Sequence, residues 1–287
     1  MRLLILLALL APLVASEALT VVYPAPASAD DKRFEDLKAL LSAALEATSD
    51  EGPYQTQPAS TMHSEARYIE AVQGGTELNL IWTSTSSAKE EVLRPIRIPL
   101  RKGLLGFRAC LIRADRQGAF RGVRSLTDLA QLHVVQGQGW GDIEVFRANR
   151  LPVVVGPSYE SLFTMITDGR ADYFSRGVTE IGPELAARSA ALPELAIESD
   201  LLLFYPWPYY FFTAQNNEAL AARIERGLRA MIADGSFNHI VRSHHAASIS
   251  ELNMAKRRVL RLRNPLLPAA TPVNDARLWY RPGEWSQ

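Results

Sequence analysis

His133-Val134-Val135-Gln136-Gly137-Gln138-Gly139-Trp140-Gly141-Asp142 is a short β-type run that opens into glycines where a helical pattern begins. His133–Gln136 has the make-up of a strand, and residues 142–149 continue as a helix. Glycines at such a junction allow a tight turn and let a ligand approach the backbone. Pro152–Val155 reads as a second strand, and Ser158 stands where it can cap a helix whose Leu162, Phe163 and Ile166 face inward. Ala171–Phe174 is a third strand running into Ser175-Arg176-Gly177. The order β-α-β-α-β predicts an α/β fold with a mostly parallel sheet.

Working outward, the same alternation recurs upstream. Leu19–Tyr23 is a β-type run, and Asp30 or Asp31 can cap a helix with Phe34, Leu37, Leu40, Leu41, Ala44 and Leu45 on one stripe. Residues 48–61, polar and broken by Gly52, Pro53 and Pro58, read mostly as loop. Arg67–Val72 is a short helix closed by Gly74-Gly75, and Leu78–Thr83 is the next strand. Downstream, Tyr209–Thr213 is a strand within the aromatic run 205–212, which reads as core packing. Asn217 then caps a helix with Leu220, Ile224, Leu228, Met231 and Ile232 inward and Gly235 past its end. A second helix covers residues 237–244, and the proline-bearing stretch after Arg263 is expected to lie extended on the surface.

Composition narrows the function classes. The 287 residues carry 31 Lys+Arg against 31 Asp+Glu, so no basic excess favours nucleic acid as partner. One cysteine, Cys110, excludes a disulfide framework and a cysteine zinc cluster. Met1-Arg2 followed by the apolar run Leu3–Ala15 is shorter than the roughly 20 residues that span a bilayer. Ser16 and Ala18 suit cleavage before Leu19, so residues 1–18 are expected to be a signal peptide and the remainder exported.

Four stretches together resemble the family 3 periplasmic solute-binding proteins, the receptors that feed polar amino-acid ABC transporters. They are Leu78–Thr83 with Lys89–Ile96; Leu126-Thr-Asp-Leu129 with His133–Gly137; Tyr159–Asp172; and Ala219–Ile240. The resemblance implies a two-lobe α/β fold with a ligand cleft between the lobes and two hinge crossings, near 106–110 and 206–211. Lobe 1 would be 19–107 plus 210–262, lobe 2 would be 108–209, and 263–287 a Pro-rich tail. It also implies a periplasmic, monomeric receptor, with a small-molecule ligand and an ABC permease or membrane sensor as partners. No cofactor, metal or nucleic acid is expected. The family holds a ligand carboxylate with the Arg of a Ser/Thr-x-x-Arg motif, where this chain offers Lys89, and Arg94 further on. For the Asp that holds an ammonium, this chain has Arg176 and no carboxylate until Glu180. The expected ligand is therefore small and polar, anionic or amino-acid-like.

The candidate ligand-binding residues are Trp82, Thr83, Lys89, Gly137, Gln138, Gly139, Trp140, Asp142 and Arg176. The glycine loop either meets a ligand or is a plain turn with Asp142 as helix cap. Trp140 either stacks on a ligand or plugs its lobe. The Arg176 fork suits a carboxylate or phosphate, or else a salt bridge to Glu180. The five histidines form no metal-ligand cluster, and no nucleophile elbow is present. The alternative is a dehydratase-like enzyme on the same scaffold acting on a small carboxylate, with Glu180, Asp142 or His133 as acid or base.

Overall fold

The computed structural model describes residues 18–26, 33–61 and 64–285. The stretch expected to be a signal peptide therefore falls, apart from Ala18, outside the described residues, as do Asp30 and Asp31; the first helix opens at Phe34 without a side-chain cap. The first part of the chain runs β1 (Leu19–Tyr23), α1 (Glu35–Glu46), β2 (Tyr54–Pro58), α2 (Glu65–Gly74), β3 (Ile81–Ser84), α3 (Ser87–Val92) and β4 (Leu93–Ile96). The middle runs β5 (Phe107–Arg113), α4 (Gln117–Phe120), α5 (Leu126–Leu129), β6 (Val134–Gly137), α6 (Asp142–Ala148), β7 (Val153–Gly156), α7 (Tyr159–Thr167), β8 (Tyr173–Gly177) and α8 (Ile181–Ala186). The last part is β9 (Leu195–Ile197), β10 (Leu201–Phe204), β11 (Tyr209–Ala214), α9 (Glu218–Asp234), α10 (Ser236–Glu251) and β12 (Arg258–Arg261).

Among the described residues these strands form three sheets. One lobe holds the parallel pair β1-β2 and the antiparallel sheet β3-β11-β4. The other holds a mixed sheet in the order β12-β10-β5-β8-β6-β7, with β9 also on β5. Strands β7, β6 and β8 are mutually parallel, as the alternation of strand and helix requires, but β5 is antiparallel to β8, β9 and β10. The expectation of a mostly parallel sheet thus holds for the β6–β8 unit and fails around β5 and β11. Those two strands lead out of, or back into, a lobe, and their direction is set by the crossing rather than by a crossover helix.

The helix reading rests on local chemistry. Leu37, Leu40, Leu41, Ala44 and Leu45 of α1 are all buried against Leu220, Ile224 and Leu228 of α9. The two helices approach so closely that a Cβ on Gly227 would lie 1.9 Å from the Ala44 carbonyl oxygen. Asn217 caps α9 through Leu220 N–H, and Gly235 (φ 87°) ends it. Ser125 with Asp128, and Ser158 with Ser161, close capping boxes on α5 and α7.

Four expectations are corrected. Residues 54–58 form a strand rather than loop, because β2 is an edge strand pairing only with β1 and tolerates its terminal Pro58. Helix α10 runs on to Glu251, beyond the expected end near 244. Residues 258–261 join the large sheet, parallel to β10, and not the first lobe. There Leu260 and Leu262 enter the cluster of Leu201 and Leu203, and the Arg257 guanidinium donates to the Leu252 and Leu201 carbonyls. Part of the basic stretch 256–263 is therefore structural. Finally, the C-terminal tail is not a surface coil: Leu278, Trp279, Tyr280 and Trp285 are buried. Prolines forbid regular ladders but not packing, and Tyr280 N–H donates to Lys102 O at 2.7 Å while its ring meets Phe107.

Two crossings were expected, near 106–110 and 206–211; the described chain passes between lobes at 97–106, at 205–208 and a third time at 252–257, because β12 returns to the large sheet.

Candidate functional site

Residues from both lobes and both of the first two crossings enclose a cleft of about 600 Å³. Three arginine–carboxylate units line it. In the first lobe, Arg101 grips Asp36 with two bonds, Nε to Oδ2 at 2.5 Å and Nη2 to Oδ1 at 2.8 Å. His245 Nε2 lies 2.9 Å from the same Oδ2. Burial would raise the Asp36 pKa, but Arg101 and His245 outweigh it and hold the carboxyl well below its usual range. Phe34, His244 and Tyr209 complete this wall.

In the second lobe, Arg176 forms a fork with Glu184, Nε to Oε2 at 2.7 Å and Nη2 to Oε1 at 2.5 Å. It also reaches Glu180 Oε2 at 3.2 Å. Its guanidinium lies 5.2 Å from the Trp140 ring centroid and 5.8 Å from that of Tyr159, an aromatic box that favours a cation. Tyr159 donates to Glu184 at 2.6 Å, and burial together with that carboxylate pushes its phenol up to about 12.

The floor belongs to Arg108 at the start of β5. The Tyr205 hydroxyl donates to Asp142 Oδ1, and Arg108 Nη2 lies 3.1 Å from the same oxygen. Glu180 is 3.9 Å from Arg108 Nη1, beyond hydrogen-bond distance, and Arg108 Nε has no hydrogen-bond partner among the described residues. Burial opposes its charge, yet the Asp142 carboxylate and the rest of the surrounding field outweigh burial and keep it a firm cation. Of these three arginines Arg108 is the least saturated, although its side chain is only 7% exposed. A buried guanidinium with spare donors is costly unless something completes its shell.

Of the residues singled out from sequence, Trp140, Asp142 and Arg176 line this cleft. Asp142 is not the cap of α6; Gly141 holds that position, and the Asp142 carboxylate is turned to Tyr205 and Arg108. The Arg176 fork is filled first by Glu184, which the sequence reading did not consider, and only then by Glu180. The other six lie elsewhere. Trp82 is in the core, stacked on Tyr23, Phe34 and Phe211, and so backs the cleft wall instead of forming it. Lys89 Nζ is engaged by Glu65 at 2.5 Å, Thr83 Oγ1 at 2.8 Å and Ser84 O at 2.9 Å, and Thr83 donates to Glu65. Gly137 makes room for the Trp140 indole, 2.7 Å from where its Cβ would be. Gly139 supplies a φ of 80° and Gln138 is exposed, its N–H donating to Gly156 O. The glycine loop is therefore a turn that folds Trp140 back towards Arg176.

Arg101, Arg108, Asp36, His245 and Glu184 were missed. One signal was available for Arg108: it is a lone charge inside the apolar run 104–112, and charged residues are rarely buried unless partnered. Among the described residues no group of three or more His, Cys, Asp and Glu could hold a metal, and no helix is long and apolar enough to cross a membrane.

No protein-family model matches the chain, and no curated protein sequence does. Solved structures do match. The YckB protein of Bacillus subtilis is 16% identical over 79% of this chain and 89% of its own, with a TM-score of 0.53. The VFT2 domain of BvgS from Bordetella pertussis is 17% identical over 79% and 92%, with a TM-score of 0.52. Substrate-binding domain 2 of GlnP from Lactococcus lactis, in its open conformation, is 14% identical over 82% and 97%, also with a TM-score of 0.52. At such identities the likeness is one of fold. With two α/β lobes, repeated crossings and a cleft lined from both sides, the chain has the two-lobe fold of the periplasmic binding proteins.

Proposed function

We propose that this protein is an exported, periplasmic binding receptor whose interlobe cleft takes a small polar ligand through its carboxylate, amino-acid-like or simply anionic. It would act as a monomer, handing the ligand to an ABC permease or reporting it to a membrane sensor. The observation that carries the reading is Arg108, a buried cation at the cleft floor whose donors are incompletely used. Arg101 and Arg176 already hold Asp36 and Glu184 in two-bond grips, so they shape the walls and Arg108 has donors to spare. Lobe closure brings such walls together around a ligand. Binding without turnover is favoured because Asp142 is held by Tyr205 and Arg108, Glu180 lines the cleft with its Oε2 against Gly177 N–H and Arg176, and His133 lies by Asp172 and does not line the cleft.

The test is a thermal-shift panel of amino acids, di- and tricarboxylates, phosphate esters and polyamines on residues 19–287. A ligand at 100 times its Kd adds about 2.7 kcal/mol of stability. One carboxylate class should raise the midpoint in the wild type and fail to do so in Arg108→Gln. A flat panel, or a rise that survives in Arg108→Gln, overturns the reading.

A further inference from the structure

Glu180 differs from the other carboxylates around the cleft. Asp36 and Glu184 are each gripped by two nitrogens of one arginine, and the side chains are 4% and 12% exposed. Glu180 is 38% exposed, and its contacts to Gly177, Arg176 and Arg108 all run through one oxygen, Oε2. That oxygen accepts from the Gly177 backbone N–H at 3.1 Å and lies 3.2 Å from Arg176 Nη2 and 3.9 Å from Arg108 Nη1. Gly177 makes the seat possible: a Cβ there would lie 2.7 Å from Oε2 and 3.1 Å from Cδ of Glu180. One backbone amide thus donates to a point at the cleft wall that also lies beside two guanidinium charges, surroundings that suit an anion.

We infer that Glu180 is a built-in competitor for the ligand's carboxylate, seated between Gly177 N–H, Arg176 and Arg108 until a ligand displaces it. This rests on the reading of the cleft as a carboxylate site. Glu180 offsets the charge of two desolvated guanidiniums, and a ligand carboxylate takes its place at Gly177 N–H and Arg176 only by expelling it. Weak anions are thereby refused, and a ligand that makes further contacts to both lobes is accepted, so Glu180 sets a threshold for binding. Displacement is feasible because the side chain is exposed on one side and no arginine holds both of its oxygens.

The experiment measures Kd by titration calorimetry for succinate, acetate and L-glutamate on wild type, Glu180→Gln and Glu180→Ala, with Arg108→Gln as control and thermal midpoints alongside. Both variants should bind succinate at least about tenfold more tightly, the scale of one charge-assisted hydrogen bond regained. Their midpoints should fall without anion and recover with succinate more than the wild type's rises. If Glu180 instead grips a ligand ammonium, L-glutamate binding will weaken in Glu180→Gln with no gain for succinate, and the inference is wrong. Unchanged affinities, with binding still lost in Arg108→Gln, overturn the inference and leave the receptor reading standing. Absence of binding to all three proteins overturns both.

Discussion

At the scale of single residues, charge around the cleft is managed by pairing rather than by exposure. Arg101, Arg108 and Arg176 are each at most 11% exposed at the side chain, and each has a carboxylate within 3.1 Å. Cys110 lies on the same strand as Arg108 with no such partner, and burial pushes its thiol up, so it is inert packing. Asp36 yields a prediction about acid. Its folded pKa lies below that of the unfolded chain, so the stability it contributes is complete above the ordinary carboxylate range and drains away as pH falls below about 4. Asp36→Asn should be clearly less stable than wild type at pH 7, and denaturant titrations should show the gap shrinking steadily as pH falls below about 4. A gap that stays constant with pH would mean that Asp36 is not held by Arg101 and His245. Of these residues only Asp142 and Arg176 were picked out from the sequence as site candidates; Asp36, Arg101 and His245 are brought together across separations of 65 and 209 residues.

At the scale of elements, periodicity and caps were legible and pairing was not. The α1 and α9 stripes, the Ser158 and Asn217 caps and the Gly235 terminator follow from chemistry within a few residues of themselves. Strand β2 was missed because an edge strand has one covered face and one polar face, so Tyr54-Gln55-Thr56-Gln57-Pro58 looks like loop. The α1–α9 contact supports a second prediction. Gly227 touches the Ala44 backbone, which cannot swing aside as a side chain would, so Gly227→Ala must force the helices apart. Helix propensity alone would favour alanine by up to about 1 kcal/mol. Overpacking costs about 1–3 kcal/mol and should win, lowering stability in urea unfolding. A variant as stable as wild type would show that the helices do not pack this closely.

At the scale of the whole molecule, the tail belongs to the hinge. From β12 it passes Asn149, where Arg263 N–H and O are both bonded, then the 205–208 crossing, where Asn264 donates to Pro206 O. It then covers the 97–106 crossing, with the Trp279 ring over Gly103 and Tyr280 bonded to Lys102, and reaches α10 through Trp285 Nε1 to Asn238 at 3.1 Å. Truncation after Asn264 removes, among others, the large buried side chains of Leu278, Trp279, Tyr280 and Trp285, worth about 1.5–3 kcal/mol each as an upper bound. The expected loss is on the order of 5 kcal/mol, a large share of an ordinary domain's stability, and calorimetric unfolding would register it. A truncated chain that melts where the full one does would return the tail to the surface.

What the sequence by itself determined is the local and periodic part of this protein: much of the alternation of strands and helices, the Ser158 and Asn217 caps and the buried helix stripes. These depend on residues close together along the chain, whose side chains share a face or meet a neighbouring backbone group. Only the tertiary structure decided that β5 lies mid-sheet with Arg108 at the cleft floor, that Glu184 fills the Arg176 fork, that Glu65 occupies Lys89, and that the tail is core. The reason is physical. A buried charge takes whichever partner packing brings within about 3 Å, and burial depends on which surfaces the whole chain folds against each other.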